Sequence, residues 1–443
     1  MSAVVVFIIF AICLVIAIPI SISLGIVAVL PGAFDASFTA SAGYVIRSMV
    51  GGIDSFPLLA VPMFVLAGIL MAHGKISEKL FDVFVYFLGN KRAGIPCAVI
   101  ITCLFYGAIS GSAPATVAAV GSMTIPLLIE LGYEKDFSTA IVAVAGGLGV
   151  IIPPSIPFIM YAMATGESVS DLFLAGIVPG MMISALLIFY AYYYCRRHGE
   201  DREKIQAKMD QLKTKGFVNI LKESIWALLS PVIVLGCIYS GVASPTEAAV
   251  ISVFYSLFVS LFIYKSIKVK QIWGIMVEAM KTYAPILFIL ATSTAFSRVL
   301  TLMQVPQDVS AWIMTHFSNE IVLLLVINVV LLIVGMVMDT TPAILILSPI
   351  LLPIVEHVGM NPIHFGVMMI VNLAVGFVTP PVGVNLFVAS SLTNVPMMQI
   401  AKKAMPMIGY FMLALLLITF IPAISLCPVS YTHLRAHETE ADL

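Results

Sequence analysis

Apolar stretches of about 20 residues, the length an α-helix needs to cross a bilayer, recur along the whole chain, at 3–30, 172–195, 224–242, 245–264 and 405–427. Composition agrees with that pattern: 61% of the 443 residues are hydrophobic and 10% are charged. Mean hydropathy is +1.09. Soluble domains carry roughly 25% charged residues, so this chain lies outside that class. The opening stretch is too long and too weakly charged for a cleaved signal peptide, and more spans follow it. The reading is an all-α polytopic membrane protein with about 11–12 membrane segments.

With so few charges, their positions carry the information. The segment "RRHGEDREKIQAKMDQLKTKGFVNILK" (196–222) is the one long polar loop and holds eight Lys/Arg, which places it in the cytoplasm. Lys75, Lys91, Arg92, Lys135, Lys265, Lys268, Lys270, Lys402 and Lys403 fall on the same side if two long apolar regions enter and return on one face. These are 95–131 and 321–358, each too long for one crossing and each broken midway by small polar residues, "GAISGSAP" and "GMVMDTTP". Read as re-entrant hairpins, they leave 19 of the 22 Lys/Arg inside, with Arg47, Arg298 and Arg435 as exceptions. The first hairpin then enters from the cytoplasm and the second from outside.

The chain also repeats itself. "GLGVIIPPSIPFIMYA" (147–162) aligns with "AVGFVTPPVGVNLFVA" (374–389) at an offset of 227 residues. Pro153 pairs with Pro380, Pro154 with Pro381 and Gly149 with Gly376; one residue out of step, Gly107 pairs with Gly335 and Pro114 with Pro342. A Pro-Pro step cannot continue a helix, and backbone released from a helix in hydrocarbon needs other partners. Each half thus holds a hairpin with a polar tip and then a helix broken at Pro-Pro. Inverted repeats with paired broken helices are how secondary transporters build a midplane site.

Hairpin tips expose helix ends, whose free carbonyls suit a dehydrated cation and whose free amides suit an anion. Half one offers the hydroxyls of Ser110, Ser112 and Thr116 and the carbonyls from Gly149 to Pro153. Half two offers Thr340, Thr341 and Thr379, the carbonyls around Val378, Pro380 and Gly383, and the Asn385 amide. Gly111 and Gly383 let backbone approach without a Cβ. These groups form the candidate sodium sites, with close helix packing by small residues as the structural alternative. Asp339, at the second tip where the first has Gly111, either tunes the cation site or relays protons, or caps the returning helix. Arg298 is the basic residue within the apolar spans of half two; it either holds a substrate carboxylate through its two-pronged guanidinium or snorkels outward near 304–308. Ser112, Ser155, Thr340 and Asn385 complete the candidate substrate set. Glu247, in "SPTEAAV", reads as a cap-region carboxylate.

Other function classes find little support. There is no H-E-x-x-H, no G-x-S-x-G, no intramembrane aspartate pair and no phosphate-binding glycine loop, so an enzyme is not expected. The seven histidines are dispersed, with His357 and His364 in an outer loop region. The six cysteines contain no C-x-x-C pair and read as small hydrophobes in helices. A net charge of −1 gives no footprint for nucleic acid.

The segments "SFPLLAVPMFVLAGILMAHGKISEKLFD", "GAISGSAPATVAAVGS", "GVIIPPSIPFIMYA", "LFLAGIVPG", "SPTEAA", "ILLPIVEHVGMNPIHFGVMM" and "GFVTPPVGVNLFVAS" resemble the large membrane subunit of tripartite ATP-independent periplasmic (TRAP) transporters, the DctM type. The resemblance runs in order from the start to about residue 427. It implies a bacterial inner-membrane importer of organic acids, C4-dicarboxylates or sialic acid, driven by sodium and working by an elevator mechanism. It also implies two partners, a small DctQ-type membrane subunit and a soluble periplasmic DctP-type binding protein. No cofactor is implied beyond sodium as coupling ion. The competing readings are a stand-alone sodium–carboxylate symporter of the same architecture and a channel.

The expected organisation is repeat-one scaffold helices over 1–94, hairpin one and broken helix one over 95–171, and scaffold helices with the cytoplasmic loop over 172–318. Hairpin two and broken helix two follow over 319–398, and a last helix over 399–427. The abruptly polar "PVSYTHLRAHETEADL" (428–443) matches no membrane logic and is expected to be a non-native, disordered tail.

Overall fold

A computed structural model describes residues 3–35, 38–214, 216–316 and 319–429; the expected tail lies outside them from residue 430 onward. Every regular element among the described residues is helical. The chain opens with α1 (Ala3–Val15), α2 (Ile20–Phe34), α3 (Ala42–Ile53), α4 (Ala60–His73, entered by a 3-10 turn over Phe56–Leu59) and α5 (Ile76–Leu88). The first hairpin is α6 (Gly94–Ser110) with α7 (Ala113–Glu130), and the first broken helix is α8 (Lys135–Ala145) with α9 (Ile156–Thr165). Five connecting helices follow: α10 (Val169–His198), α11 (Arg202–Thr214), α12 (Phe217–Tyr239), α13 (Pro245–Phe258, continued as a π turn over Val259–Ile263) and α14 (Val269–Leu302). After α15 (Val305–His316) come the second hairpin, α16 (Glu320–Val337) with α17 (Thr340–His357), and the second broken helix, α18 (Pro362–Gly376) with α19 (Val384–Thr393). α20 (Met397–Phe420) and a short helix over 423–429 close the described chain.

Among the described residues nine helices are long and apolar enough to cross a membrane, and α1, α2, α6, α9, α18 and α19 are shorter apolar helices. The stretch 3–30 is not one crossing. It divides into α1 and α2 at a turn where Ala17 is left-handed (φ 62) and Pro19 blocks continuation. Each piece is only about 20 Å long at 1.5 Å per residue, and Val6 and Phe10 of α1 pack against Leu24, Val27 and Ala28 of α2. The histidine expectation also changes. His357 ends α17, and His364 is buried in the first turn of α18, because Asn361 caps that helix early: its side chain accepts from the N–H groups of Ile363 (2.9 Å) and His364 (3.2 Å), with Pro362 at the first helical position. Glu247 is a cap, as its sequence suggests: it accepts from the Ser244 N–H at 2.8 Å while the Ser244 hydroxyl accepts from the Glu247 N–H at 3.3 Å.

The largest core joins both hairpins, both broken helices, α10 and α20. A separate core joins α1, α2, α3 and the outer part of α14, touching the hairpins through Ile346 and Ile350 of α17. The broken helices exchange partners between halves: α9 packs on α17, and α19 packs on α7 and α8. Two hydrogen bonds fasten the exchange, Tyr161 Oη to the Pro362 carbonyl (2.7 Å) and Asn385 Nδ2 to the Ala143 carbonyl (3.0 Å).

Candidate ion and substrate sites

The glycines paired by the repeat make the same contact in each half. A Cβ built on Gly107 would lie 2.6 Å from the Gly149 Cα, and one built on Gly376 would lie 2.3 Å from the Gly335 carbonyl carbon. No side chain fits at either crossing, so the hairpin and its broken helix meet backbone to backbone. Both Pro-Pro bonds are cis.

In half one the tip closes on the break. The Ser110 hydroxyl lies 3.0 Å from the Thr116 hydroxyl, which donates to the Ser112 carbonyl at 2.8 Å. Gly111 takes φ +60, and its carbonyl accepts from the Ile156 N–H at 3.3 Å. A Cβ on Gly149 would meet the Thr116 hydroxyl at 2.5 Å and the Ser112 carbonyl oxygen at 2.8 Å. Ser110, Gly111, Ser112, Thr116 and Gly149 are therefore gathered in one place, with Pro153 in the segment that leads from Gly149 to the tip contacts. Ser155 is occupied as the cap of α9: its hydroxyl donates to the Val150 carbonyl at 2.6 Å and accepts from the Phe158 N–H at 3.4 Å.

In half two Asp339 takes the capping role. Its carboxylate accepts from the Thr340 N–H at 2.6 Å and the Thr340 hydroxyl at 3.3 Å, opening α17. The break folds back onto the hairpin, where the Val382 N–H donates to the Met336 carbonyl at 3.1 Å and the Asn385 N–H donates to the Phe377 carbonyl at 3.0 Å. The Thr379 hydroxyl donates to the Val375 carbonyl at 2.8 Å, and Gly383 is left-handed at φ 52. Val378, Thr379 and Pro380 thus follow the Gly335–Gly376 crossing directly, while Thr340 and Thr341 stand buried at the start of α17. The Asn385 side chain turns away from this tip to Ala143 of half one, and its Oδ1 is buried with no partner among the described residues.

The candidate substrate residues are not brought together. Ser112 lines a cavity of about 470 Å³ with Ser110, Pro114, Tyr106, Glu278 and Thr282, toward the end of the bundle that bears the polar loop. Arg298 lines a different cavity of about 530 Å³ with Ser55, Glu167, Thr294, Ser297 and Pro349, toward the opposite end. Arg298 is exposed there and pairs with no carboxylate among the described residues. Burial, reinforced by the Glu356 and Asp171 carboxylates, holds the Glu167 carboxyl above the usual carboxylate range.

Three polar arrangements escaped the sequence reading. Buried Asn372 donates to the Asn328 carbonyl (2.9 Å) and side-chain oxygen (2.8 Å), and Asn328 donates to the Thr419 hydroxyl (3.3 Å), tying α16, α18 and α20 together. The signal was present as asparagines inside the runs "VINVV" and "IVNLA". Glu200 accepts from the Ala93 N–H (3.0 Å), Tyr133 Oη (2.6 Å) and Arg202 (2.9 Å), fastening both feet of the first hairpin to the end of α10. Glu278 meets His73 at 2.9 Å beside the inner cavity. Nothing in the sequence marks Glu200 or Glu278 apart from other loop and helix-end carboxylates.

Two hairpins and two broken helices around a buried polar centre, in an all-helical bundle of membrane-length helices, define a polytopic membrane transporter. The fold is that of two solved transporters, each at 14% identity: YdaH of Alcanivorax borkumensis (TM-score 0.61, covering 90% of this chain and 96% of that one) and MtrF of Neisseria gonorrhoeae (TM-score 0.60, covering 90% and 93%). The chain belongs to the DctM component family of tripartite ATP-independent periplasmic transporters, whose family model matches residues 7–424. It is 44% identical over 415 residues to the isethionate TRAP transporter permease protein DctMQ of Oleidesulfovibrio alaskensis, covering 94% of this chain but 64% of that relative's length. It is 39% identical over 373 residues to the C4-dicarboxylate large permease DctM of Pseudomonas aeruginosa (84% and 86% covered). It is 36% identical over 385 residues to the 2,3-diketo-L-gulonate large permease of Escherichia coli (87% and 89% covered). It is a multi-pass protein of the bacterial inner membrane, the large permease component of a tripartite transport system.

Proposed function

We propose that this permease imports a small organic acid together with sodium, receiving it from a periplasmic binding protein of the DctP type and working beside a small membrane subunit of the DctQ type. The observation that carries the reading is the twin crossing, Gly107 on Gly149 and Gly335 on Gly376, with oxygen-rich turns at both. Hard oxygen ligands from backbone and hydroxyls suit sodium, and a duplicated cation site supplies a duplicated driving force. Sodium is held at 110–116 with 149–153, and at 378–383 beside the second tip. Asn385 contributes through its orphaned Oδ1 only if the amide or its neighbours rearrange. No other cofactor is required, and the protein carries solute without chemical conversion.

The substrate is an anion. Arg298 in the outer cavity is an exposed, unpaired guanidinium, which suits a carboxylate. The named relatives handle a sulfonate, C4-dicarboxylates and a keto sugar acid, so a C4-dicarboxylate leads and a sialic-type sugar acid follows. Separate cavities at the two ends, one holding Arg298 and the other Ser112, support alternating access. The elevator reading rests on the separate packing of α1–α3 with the end of α14, apart from the core that holds the hairpins together with α4, α5 and α10–α13. Reconstitution in liposomes tests the whole proposal. Uptake should require an inward sodium gradient, a binding protein and a small subunit. Uptake by the chain alone favours the stand-alone symporter, and uptake indifferent to sodium at channel rates overturns the carrier.

A further inference from the structure

A third cavity lies outside the transport path. It has a volume of about 480 Å³ and sits between α10 and the turn joining α5 to α6, at the cytoplasmic end by the distribution of Lys and Arg. Its wall is apolar: Leu88, Ile101 and the α10 stripe Ala185, Ile188, Phe189 and Tyr192. Phe189 and Tyr192 stand 59% and 44% exposed on that stripe, so the groove opens sideways to the bilayer. Its mouth is basic. Lys91 and Arg92 line it, both exposed, and neither side chain is in a hydrogen bond or ion pair among the described residues.

The local chain geometry sets those two cations at the rim. Ala93 is left-handed (φ 57), and the turn is so tight that a Cβ on Gly94 would lie 1.8 Å from the Leu88 carbonyl oxygen. Arg196 extends the same face of α10, since 185, 188/189, 192 and 196 follow the helical period. It too is exposed and in no ion pair among the described residues. The adjoining carboxylate, Glu200, does not neutralise the rim; it is 2% exposed and turned inward onto Ala93, Tyr133 and Arg202.

From this juxtaposition of an apolar groove open to the membrane and a cluster of unpaired cations at its cytoplasmic lip, we propose that the groove is a binding site for an anionic phospholipid of the inner leaflet. The phosphate sits among Lys91, Arg92 and Arg196, and one acyl chain lies along Ile188, Phe189 and Tyr192. Unpaired basic side chains at that depth attract anionic headgroups, and an apolar slot distinguishes a lipid from a free anion. Since α6 forms one wall, the lipid rests against the foot of the first hairpin.

Native mass spectrometry of the detergent-solubilised full chain, titrated with phosphatidylglycerol or phosphatidylethanolamine, tests the site. Phosphatidylglycerol should be retained preferentially. The Lys91→Gln/Arg92→Gln double variant, at two exposed positions, should weaken that retention by about tenfold or more. Ala185→Trp, which fills the slot and leaves the charges, should weaken it comparably. Inorganic phosphate at millimolar concentration should not displace the lipid. Equal retention of the two lipids, indifference to both variants, or displacement by phosphate alone would each overturn the proposal, the last by making the site one for a free anion.

Discussion

Gly335 and Gly376 meet backbone to backbone, so closely that a methyl group on Gly376 would stand 2.3 Å from the Gly335 carbonyl carbon and 2.5 Å from its oxygen. The atom struck is main chain, which cannot swing aside, so Gly376→Ala must push the hairpin off the broken helix. Displacements of this size at a site cost about 100-fold in rate. Gly376→Ala should therefore lose uptake to that degree while inserting normally, whereas Gly409→Ala, with nothing within 4 Å, should behave as the parent. Liposome uptake normalised to inserted protein makes the comparison; equal rates for the two variants would refute it.

Hydroxyls at the two crossings should matter to sodium more than to protein level. Ser112→Ala keeps the carbonyl that accepts from Thr116, and Thr379→Ala removes only a hydroxyl bonded back to the last turn of α18. Each should raise the sodium concentration for half-maximal uptake several-fold, about 1 kcal/mol per lost oxygen contact. Unchanged sodium activation in both variants would remove these residues from the ion sites.

Arg298 stands exposed in the outer cavity without a protein carboxylate. Arg298→Ala should abolish uptake with insertion intact. Arg298→Lys should restore part of it, because an ammonium keeps the charge but not the planar fork. Normal uptake by Arg298→Ala would assign the residue to the membrane interface.

At the cytoplasmic end Lys403 lies 2.5 Å from Glu134, which also accepts from Tyr194 Oη at 2.8 Å. The Lys403 hydrogen bond is the main cause holding the Glu134 carboxyl below its ordinary value of 4.5, aided by Tyr194 and opposed by burial. A carboxylate lowered by folding stabilises the fold above its unfolded value, and that contribution disappears as pH falls through the folded value. Glu134→Gln should thus melt lower than the parent at neutral pH, and the gap should narrow as pH drops below about 4.5. The effect is small, because the Glu134 side chain is 49% exposed. A gap that stays constant with pH would show that the ion pair is not its source.

Much of this architecture was legible in the sequence because its devices are written in residues with few alternatives. The Pro-Pro pairs, the small polar tips and the repeated glycines each forbid ordinary helix, and their common offset exposes the duplication. Division of 3–30 into two helices was harder to see, since Pro19 alone among apolar residues is also compatible with a kinked single span. The separation of Arg298 from Ser112 was invisible, because one lies in a long apolar helix and the other at a hairpin tip, and only packing decides which cavity each lines. Ser155 and Asp339 each stand at a helix start, where an oxygen can serve a ligand or the N–H groups beside it; their capping bonds to Phe158 and Thr340 are visible only once the chain is folded.

The exchange of helices between halves has a further consequence. Repeat alignment sets Phe158 where Asn385 stands. Phe158 is a fully buried phenyl ring, packed edge-on against Phe173, whereas Asn385 grips the main chain of the opposite half and leaves an acceptor unanswered. The duplicated frame is symmetric, but its furnishing is not: at paired positions one joint packs a phenyl ring and the other sets an amide on the main chain. The two halves are therefore not interchangeable: the same substitution made at these paired positions would open a cavity in one half and cut an anchor in the other.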